Sequence, residues 1–187
     1  MLDVRPLGLD GVVEIRPPKF GDPRGFFSEV WNAEKMAAAG IHIPFVQDNH
    51  SYSAARGVLR GLHFQIPPAA QAKLVRVSRG SIFDVAVDIR KSSPTYGRWV
   101  GLILSAELWN QVFVPEGFAH GFVTLDEHTE VQYKVSSPYS PKHERSVRFD
   151  DPAIGIDWRV SAAEVQLSAK DSAAPLLADI TTGFDRQ

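Results

Sequence analysis

The sequence predicts an all-β chain, a double-sheet jelly roll with a few short helices, and three observations lead there. Short apolar or alternating runs recur at strand length, clusters of Gly, Pro, Ser, Asn and Asp separate them, and helix-start signals are confined to two places. At 187 residues the chain is long enough to bury one substantial core and short for two, so a single domain over 1–187 is expected.

In chain order the runs fall at 12–16, 45–52, 58–64, 73–77, 82–89, 99–104, 112–114, 121–125 and 129–135. Turn signals such as Pro67-Pro68, Ser92-Ser93-Pro94 and the stretch from Pro138 to Pro141 punctuate them, and none is long enough to be an interdomain linker. Before the second run, Asn32 can cap a short helix through Ala39, with Gly40 supplying the left-handed stop. Ser161-Ala162-Ala163-Glu164 has the spacing of a capping box, which predicts a turn or two of helix there. A sandwich of so many strands must close or cover its edges; the jelly roll is one arrangement that does so, and an up-and-down barrel is the alternative. The first segment, about 1–50, holds Phe20, Phe26, Phe27 and Trp31, more aromatic surface than a peripheral strand needs, and is expected to contribute to a dimer interface. The core is expected at about 51–150, with about 151–187 packing on it.

Composition removes several function classes. Charged residues are 22% of the chain and the net charge is −2, so no basic field exists to hold nucleic acid. The absence of cysteine excludes disulfides, thiolate metal sites and thiol nucleophiles, and suits a reducing compartment. No apolar stretch approaches the roughly 18 residues of a membrane span, and the N-terminus has no basic run leading into an apolar core. A soluble, cytoplasmic protein is expected, with any catalysis resting on His, Tyr, Lys and carboxylates.

Residues able to carry chemistry concentrate in four stretches. Arg56-Gly57-Val58-Leu59-Arg60-Gly61-Leu62-His63-Phe64-Gln65 places two cations and an imidazole on a strand. Strict alternation sends His63 and Gln65 to one face and Arg60 to the other, so either Gly61 marks a bulge or Arg60 serves a different part of the site. Val114-Pro115-Glu116-Gly117-Phe118-Ala119-His120-Gly121-Phe122 shapes a tight turn that delivers His120 onto a strand. Glu130-Val131-Gln132-Tyr133-Lys134-Val135-Ser136 alternates so that Val131, Tyr133 and Val135 share a face, and Leu167-Ser168-Ala169-Lys170-Asp171 sets a cation and a carboxylate after an apolar anchor. Taken singly, His63 reads as a hydrogen-bonded strand histidine, Tyr133 as a core aromatic, Lys73 as a strand-edge cation and the last stretch as a solvated turn.

The second stretch resembles the second signature of the cupin superfamily, and it follows the His63 strand at the interval the first signature requires. That resemblance implies a cupin-type jelly roll. In metal-binding cupins the signatures supply two histidines separated by one residue, a glutamate and a further ligand, and here those places hold His63, Gln65, Lys73 and His120. An ammonium beside a divalent ion repels it, and an amide replaces imidazole poorly. No metal is therefore expected. His63 is left as a Brønsted base near neutral pH, and Lys73 can stabilise negative charge on a substrate oxygen.

Together with Asp22-Pro23-Arg24-Gly25-Phe26-Phe27-Ser28-Glu29 and Gln47-Asp48-Asn49-His50-Ser51, three of these stretches give the chain, along almost its whole length, a resemblance to the dTDP-4-dehydrorhamnose 3,5-epimerase family. The resemblance implies epimerisation at C3 and C5 of dTDP-4-dehydro-6-deoxy-D-glucose in dTDP-L-rhamnose biosynthesis, with no cofactor. It implies His63 as base, Asp171 as its pairing carboxylate, Tyr133 as the acid on the opposite face and Lys73 at the enolate oxygen. Arg24, Glu29, Gln47, Asp48, Asn49, Arg60, Lys73, His120, Glu144 and Lys170 match substrate-binding positions, and Tyr139 matches an aromatic that stacks on thymine. Asp84 is either the partner that orients His120 or a hydrogen-bonded core acid. A homodimer is implied, with Arg24 and Glu29 acting across it. The alternatives are an epimerase acting at C3 or C5 alone, a metal-dependent cupin oxygenase, and a non-catalytic sugar-binding cupin.

Overall fold

Strands dominate the computed structural model, which describes residues 2–185, so the two ends of the expected domain lie outside it. In chain order they are β1 (Asp3–Pro6), β2 (Val13–Arg16), β3 (Phe20–Asp22), β4 (Gly25–Phe27), β5 (Gln47–Ser53), β6 (Leu59–Gln65), β7 (Lys73–Arg79), β8 (Ser81–Asp88), β9 (Trp99–Ser105), β10 (Gln111–Val114), β11 (Phe118–Thr124), β12 (Thr129–Val135) and β13 (Glu144–Ser146). Two α-helices, α1 (Ala33–Ala38) and α2 (Ala169–Ser172), accompany them. A six-stranded sheet runs β1-β2-β10-β7-β12-β5 and a five-stranded sheet runs β13-β6-β11-β8-β9, while β3 and β4 form a separate hairpin. Every run read from the sequence falls on a strand. Because most sheet neighbours are far apart in sequence, the architecture is the double-sheet jelly roll and not an up-and-down barrel.

Alternation sorts the side chains into three apolar layers. Between the sheets, Val75 and Val77 of β7, Val112 and Val114 of β10 and Val131 of β12 meet Ile82 and Ala86 of β8 and Phe118 and Phe122 of β11. The outward residues of the five-stranded sheet, among them Leu62, Phe64, Val85 and Val87, are covered by Ile154, Trp158 and Leu177 of the C-terminal segment. On the other outer face, Met36 of α1 and Ile41 lie over Ile15, Leu74 and Phe113. The N-terminal strands β1 and β2 extend the six-stranded sheet at β10. No helix among the described residues is long and apolar enough to cross a membrane.

The first helix forms as the sequence predicts: the Asn32 side chain accepts the Lys35 N–H at 3.1 Å, and Gly40 takes a φ of +86° just beyond the last turn. The second expectation needs correction. Ser161 and Glu164 do bond reciprocally, with Glu164 Oε2 accepting the Ser161 N–H at 2.9 Å, but only a turn results. The chain must extend immediately afterwards, because Gln166 bridges in parallel to Val58.

Candidate active site

The cleft lies between the sheets, where inward positions of β5, β6, β7, β11 and β12 switch from aliphatic to polar. Two adjoining cavities of about 510 and 230 Å³ share His63, Lys73 and Tyr133 as a common border. Arg60, His120, Ser168, Lys170 and Asp171 line the larger; Gln47, Asn49, Gln65, Tyr139 and Glu144 line the smaller. Gly61 is what brings Arg60 and His63 together. His120 faces His63 and Phe122 faces Arg60, so two steps along β11 match three along β6, and one β6 residue is extra. Gly61 has a φ of +137°, and a Cβ there would sit 2.5 Å from Gly121 Cα, so only glycine fits the bulge. Of the two readings of Arg60, the bulge is the one realised.

His63 Nε2 lies 2.6 Å from Asp171 Oδ1. The carboxylate is delivered by α2, whose first turn is capped by Ser168: its Oγ accepts the Asp171 N–H at 3.1 Å. Burial alone would raise the Asp171 pKa, but the His63 hydrogen bond and charge, with help from Ser168 and Lys170, hold it below the usual carboxylate range. An ionised Asp171 favours the tautomer in which His63 Nε2–H donates to it, and in that tautomer Nδ1 keeps its lone pair. A second pair lies alongside. His120 Nε2 sits 2.9 Å from Asp84 Oδ2, with Asp84 fully buried, so Asp84 is the group that orients His120. Burial pushes the His120 pKa down despite Asp84, and the neighbouring Lys73 and His63 push it the same way. His120 is thus a neutral imidazole at physiological pH.

Lys73 enters from the opposite sheet, only 9% exposed, with Nζ donating to the His63 carbonyl at 3.3 Å. Burial lowers its pKa to about 8, although Asp84 and Glu144 pull it upward. It remains an ammonium at neutral pH. Burial raises the Tyr133 pKa, Arg60 opposes that and Glu144 adds to it, so the phenol keeps its proton. At the cupin ligand positions each imidazole is already committed to its own carboxylate, the Gln65 amide donates to the Ala69 carbonyl at 2.6 Å, and Lys73 adds a buried positive charge. That donor set does not suit a divalent cation.

The smaller cavity is polar and open. Tyr139, 54% exposed, donates its hydroxyl to Glu144 Oε2 at 2.8 Å, and Lys170 Nζ approaches the same oxygen at 2.5 Å. Burial would raise the Glu144 pKa, but Lys170 and Tyr139 outweigh it, so the carboxylate stays ionised. Gln47 accepts the Tyr139 N–H and donates to Asn49 Oδ1. Arg60 is steered by the Tyr52 carbonyl at 3.2 Å. Three residues matched to substrate binding are not brought to the cleft within one chain. Asp48 points to the opposite face of β5, as alternation requires, and pairs with Lys134 at 2.6 Å. Arg24, 90% exposed at its side chain, pairs with Asp22 in the β3–β4 hairpin, and Glu29 pairs with Lys35. Conversely, Ser51, Gln71 and Phe122 line the cavities without having been read as site residues. Ser51 was legible by alternation from Gln47 and Asn49. Its hydroxyl is buried and unpartnered.

Known proteins share this sequence pattern and fold. A family model described as dTDP-4-dehydrorhamnose 3,5-epimerase matches residues 6–179. A dTDP-4-dehydrorhamnose 3,5-epimerase of Salmonella typhimurium is 53% identical over 178 residues, covering 95% of this chain and 96% of its own length. One from Sinorhizobium fredii is 52% identical over 178 residues, covering 95% and 91%. The crystal structure of a dTDP-6-deoxy-D-glucose-3,5-epimerase from Legionella pneumophila, in complex with dTDP-4-keto-L-rhamnose, superposes with a TM-score of 0.95 at 45% identity and covers 100% of both chains.

Proposed function

The chain belongs to the dTDP-4-dehydrorhamnose 3,5-epimerase family, and we infer from that premise that its cleft epimerises C3 and C5 of dTDP-4-dehydro-6-deoxy-D-glucose, yielding dTDP-4-dehydro-L-rhamnose for dTDP-L-rhamnose biosynthesis. The observation that carries the chemistry is the His63–Asp171 pair sharing one cavity with a buried lysine and a protonated tyrosine. The C4 ketone acidifies the C–H bonds at C3 and C5. His63 removes the proton through Nδ1, the electron pair moves into the C4–O bond, and the Lys73 ammonium stabilises the enolate oxygen. Tyr133 returns a proton to the opposite face and inverts the centre. Each inversion leaves an imidazolium and a phenolate, which solvent resets. Asp171 keeps the imidazole oriented and stabilises its charged form. His120, set by Asp84, contacts the sugar.

For the nucleotide, Arg60 and Lys170 hold the diphosphate, Tyr139 stacks on thymine, and Gln47, Asn49 and Glu144 supply polar partners. Arg24 and Glu29 reach the substrate in a homodimer. The β3–β4 hairpin presents Phe20, Phe26 and Phe27 at 62%, 53% and 70% exposure, an apolar surface suited to docking on a second copy. We place the dimer in the cytoplasm, where a cysteine-free chain meets no penalty. The test is turnover of dTDP-4-dehydro-6-deoxy-D-glucose coupled to a sugar-nucleotide 4-reductase: dTDP-L-rhamnose is expected, and a product inverted at one carbon only would sink the reading. Tyr133→Phe should lower product formation by about 10²-fold while deuterium still enters from solvent, since His63 continues to remove protons. Exchange and inversion falling in step would remove Tyr133 from the opposite face.

A further inference from the structure

The Arg56-Gly57 pair that opens the first signature takes no part in the chemistry above, yet it holds the segment that delivers Asp171. The Gln166 N–H donates to the Gly57 carbonyl at 2.8 Å, and the Leu59 N–H donates to the Gln166 carbonyl at 3.0 Å. Arg56 braces the same segment: its Nε donates to Glu164 Oε1 at 3.2 Å, its Nη1 to the Leu125 carbonyl at 2.9 Å, and its carbonyl accepts from Gln166 Nε2 at 3.2 Å. From there Leu167 packs against the core, Ser168 caps α2, and Asp171 reaches His63. The seat is closed to any side chain. Gly57 has a φ of +81°, and a Cβ would stand 2.2 Å from the Glu164 carbonyl oxygen and 3.0 Å from its carbon, backbone atoms that cannot swing aside.

We propose that residues 164–171 form a strap that positions the His63–Asp171 pair, and that Gly57 is the positioning residue on which the strap is seated. The proposal rests on His63 being the base. Asp171 sits on a four-residue helix with no sheet partner of its own, held between the Gln166 anchor upstream and the Pro175 carbonyl, which accepts the Arg148 N–H at 2.8 Å, downstream; the Gln166 anchor is the one that leads into the Ser168 cap. An ångström of misplacement at a catalytic group is enough to lower the rate by about 10²-fold.

The experiment compares Gly57→Ala, Asp171→Asn and the double variant in the full chain, reading kcat and the ¹⁵N shifts of the His63 ring. Gly57→Ala should lower kcat by about 10²-fold. In the Asp171→Asn background that loss should shrink below about threefold, because both changes remove one interaction. The His63 ring shifts of Gly57→Ala should move to those of Asp171→Asn. Arg56→Met, which loosens the brace without filling the seat, should give a smaller loss with the same convergence and serves if Gly57→Ala does not fold by circular dichroism. A folded variant with wild-type kcat and wild-type His63 shifts, or losses that multiply in the double, would overturn the strap. Should Asp171→Asn itself leave kcat unchanged, the catalytic value of the pair fails instead, near-normal turnover in His63→Asn would separately remove the base, and the ring shifts still decide whether Gly57 positions the pair.

Discussion

His63→Asn is expected to reduce epimerisation by about 10³-fold or more, the upper part of the range for losing a general base. Asparagine retains a polar group that can face Asp171 but cannot accept a proton at neutral pH. Because Arg60 and Lys170 are assigned to the diphosphate and Tyr139 to thymine, with His63 reserved for the sugar, dTDP affinity should change by less than about twofold, far from the tenfold that 1.4 kcal/mol would give. Steady-state kinetics with calorimetric titration of dTDP checks both. Near-normal turnover in a folded variant would remove His63 from the proton-transfer step. The same variant should no longer exchange substrate protons with solvent, which distinguishes it from Tyr133→Phe.

Lys73→Met is expected to move activity and stability in opposite directions. The Lys73 pKa falls to about 8, chiefly through burial, against the ordinary lysine value of 10.5. Between these values the unfolded chain binds a proton that the folded chain does not, so stability rises with pH across that window; below about 8 the folded protein carries the whole desolvation penalty. Methionine keeps the volume and removes the charge. At pH 7 the variant should gain about 2–3 kcal/mol, or roughly 4–12 °C in Tm for a chain of this size, and lose about 10²–10³-fold in kcat with the enolate-stabilising charge. Wild-type kcat should correspondingly decline above pH 8, as Lys73 loses its proton. Thermal melts and pH–rate profiles read these effects, and an unchanged alkaline limb in Lys73→Met would show that another group controls it.

Local pattern carried the strands because a two-residue period against an apolar inter-sheet core leaves little choice of face. It also carried α1, where Asn32 and Gly40 bracket the helix and nothing competes for its backbone. Apart from the short strands β1, β3 and β4 near the N-terminus, what it missed depends on partners distant in sequence. The Ser161–Glu164 box has the right residues, but pairing of Gln166 with Gly57 and Leu59 stops a helix from growing. β13 was missed because Glu144–Ser146 has no apolar period and forms only as an edge against β6. In the site, alternation along β5 sends Asp48 away from the cleft, whereas the motif resemblance matched it to substrate binding together with Gln47 and Asn49. Arg60 was ambiguous until the register with β11 revealed an extra residue at Gly61. The His63–Asp171 contact, spanning 108 positions in sequence, was accessible only through resemblance, since no local period connects a strand histidine to a short C-terminal helix.

Proton exchange in deuterium oxide, followed by ¹H NMR on dTDP-4-dehydro-6-deoxy-D-glucose with the wild-type protein, examines the central claim with least inference. A base at His63 and an enolate at C4 predict deuterium at both C3 and C5, with each incorporation lost in His63→Asn. Deuterium at one carbon alone would make this a mono-epimerase, and turnover without solvent deuterium would contradict the His63–Tyr133 proton-transfer account.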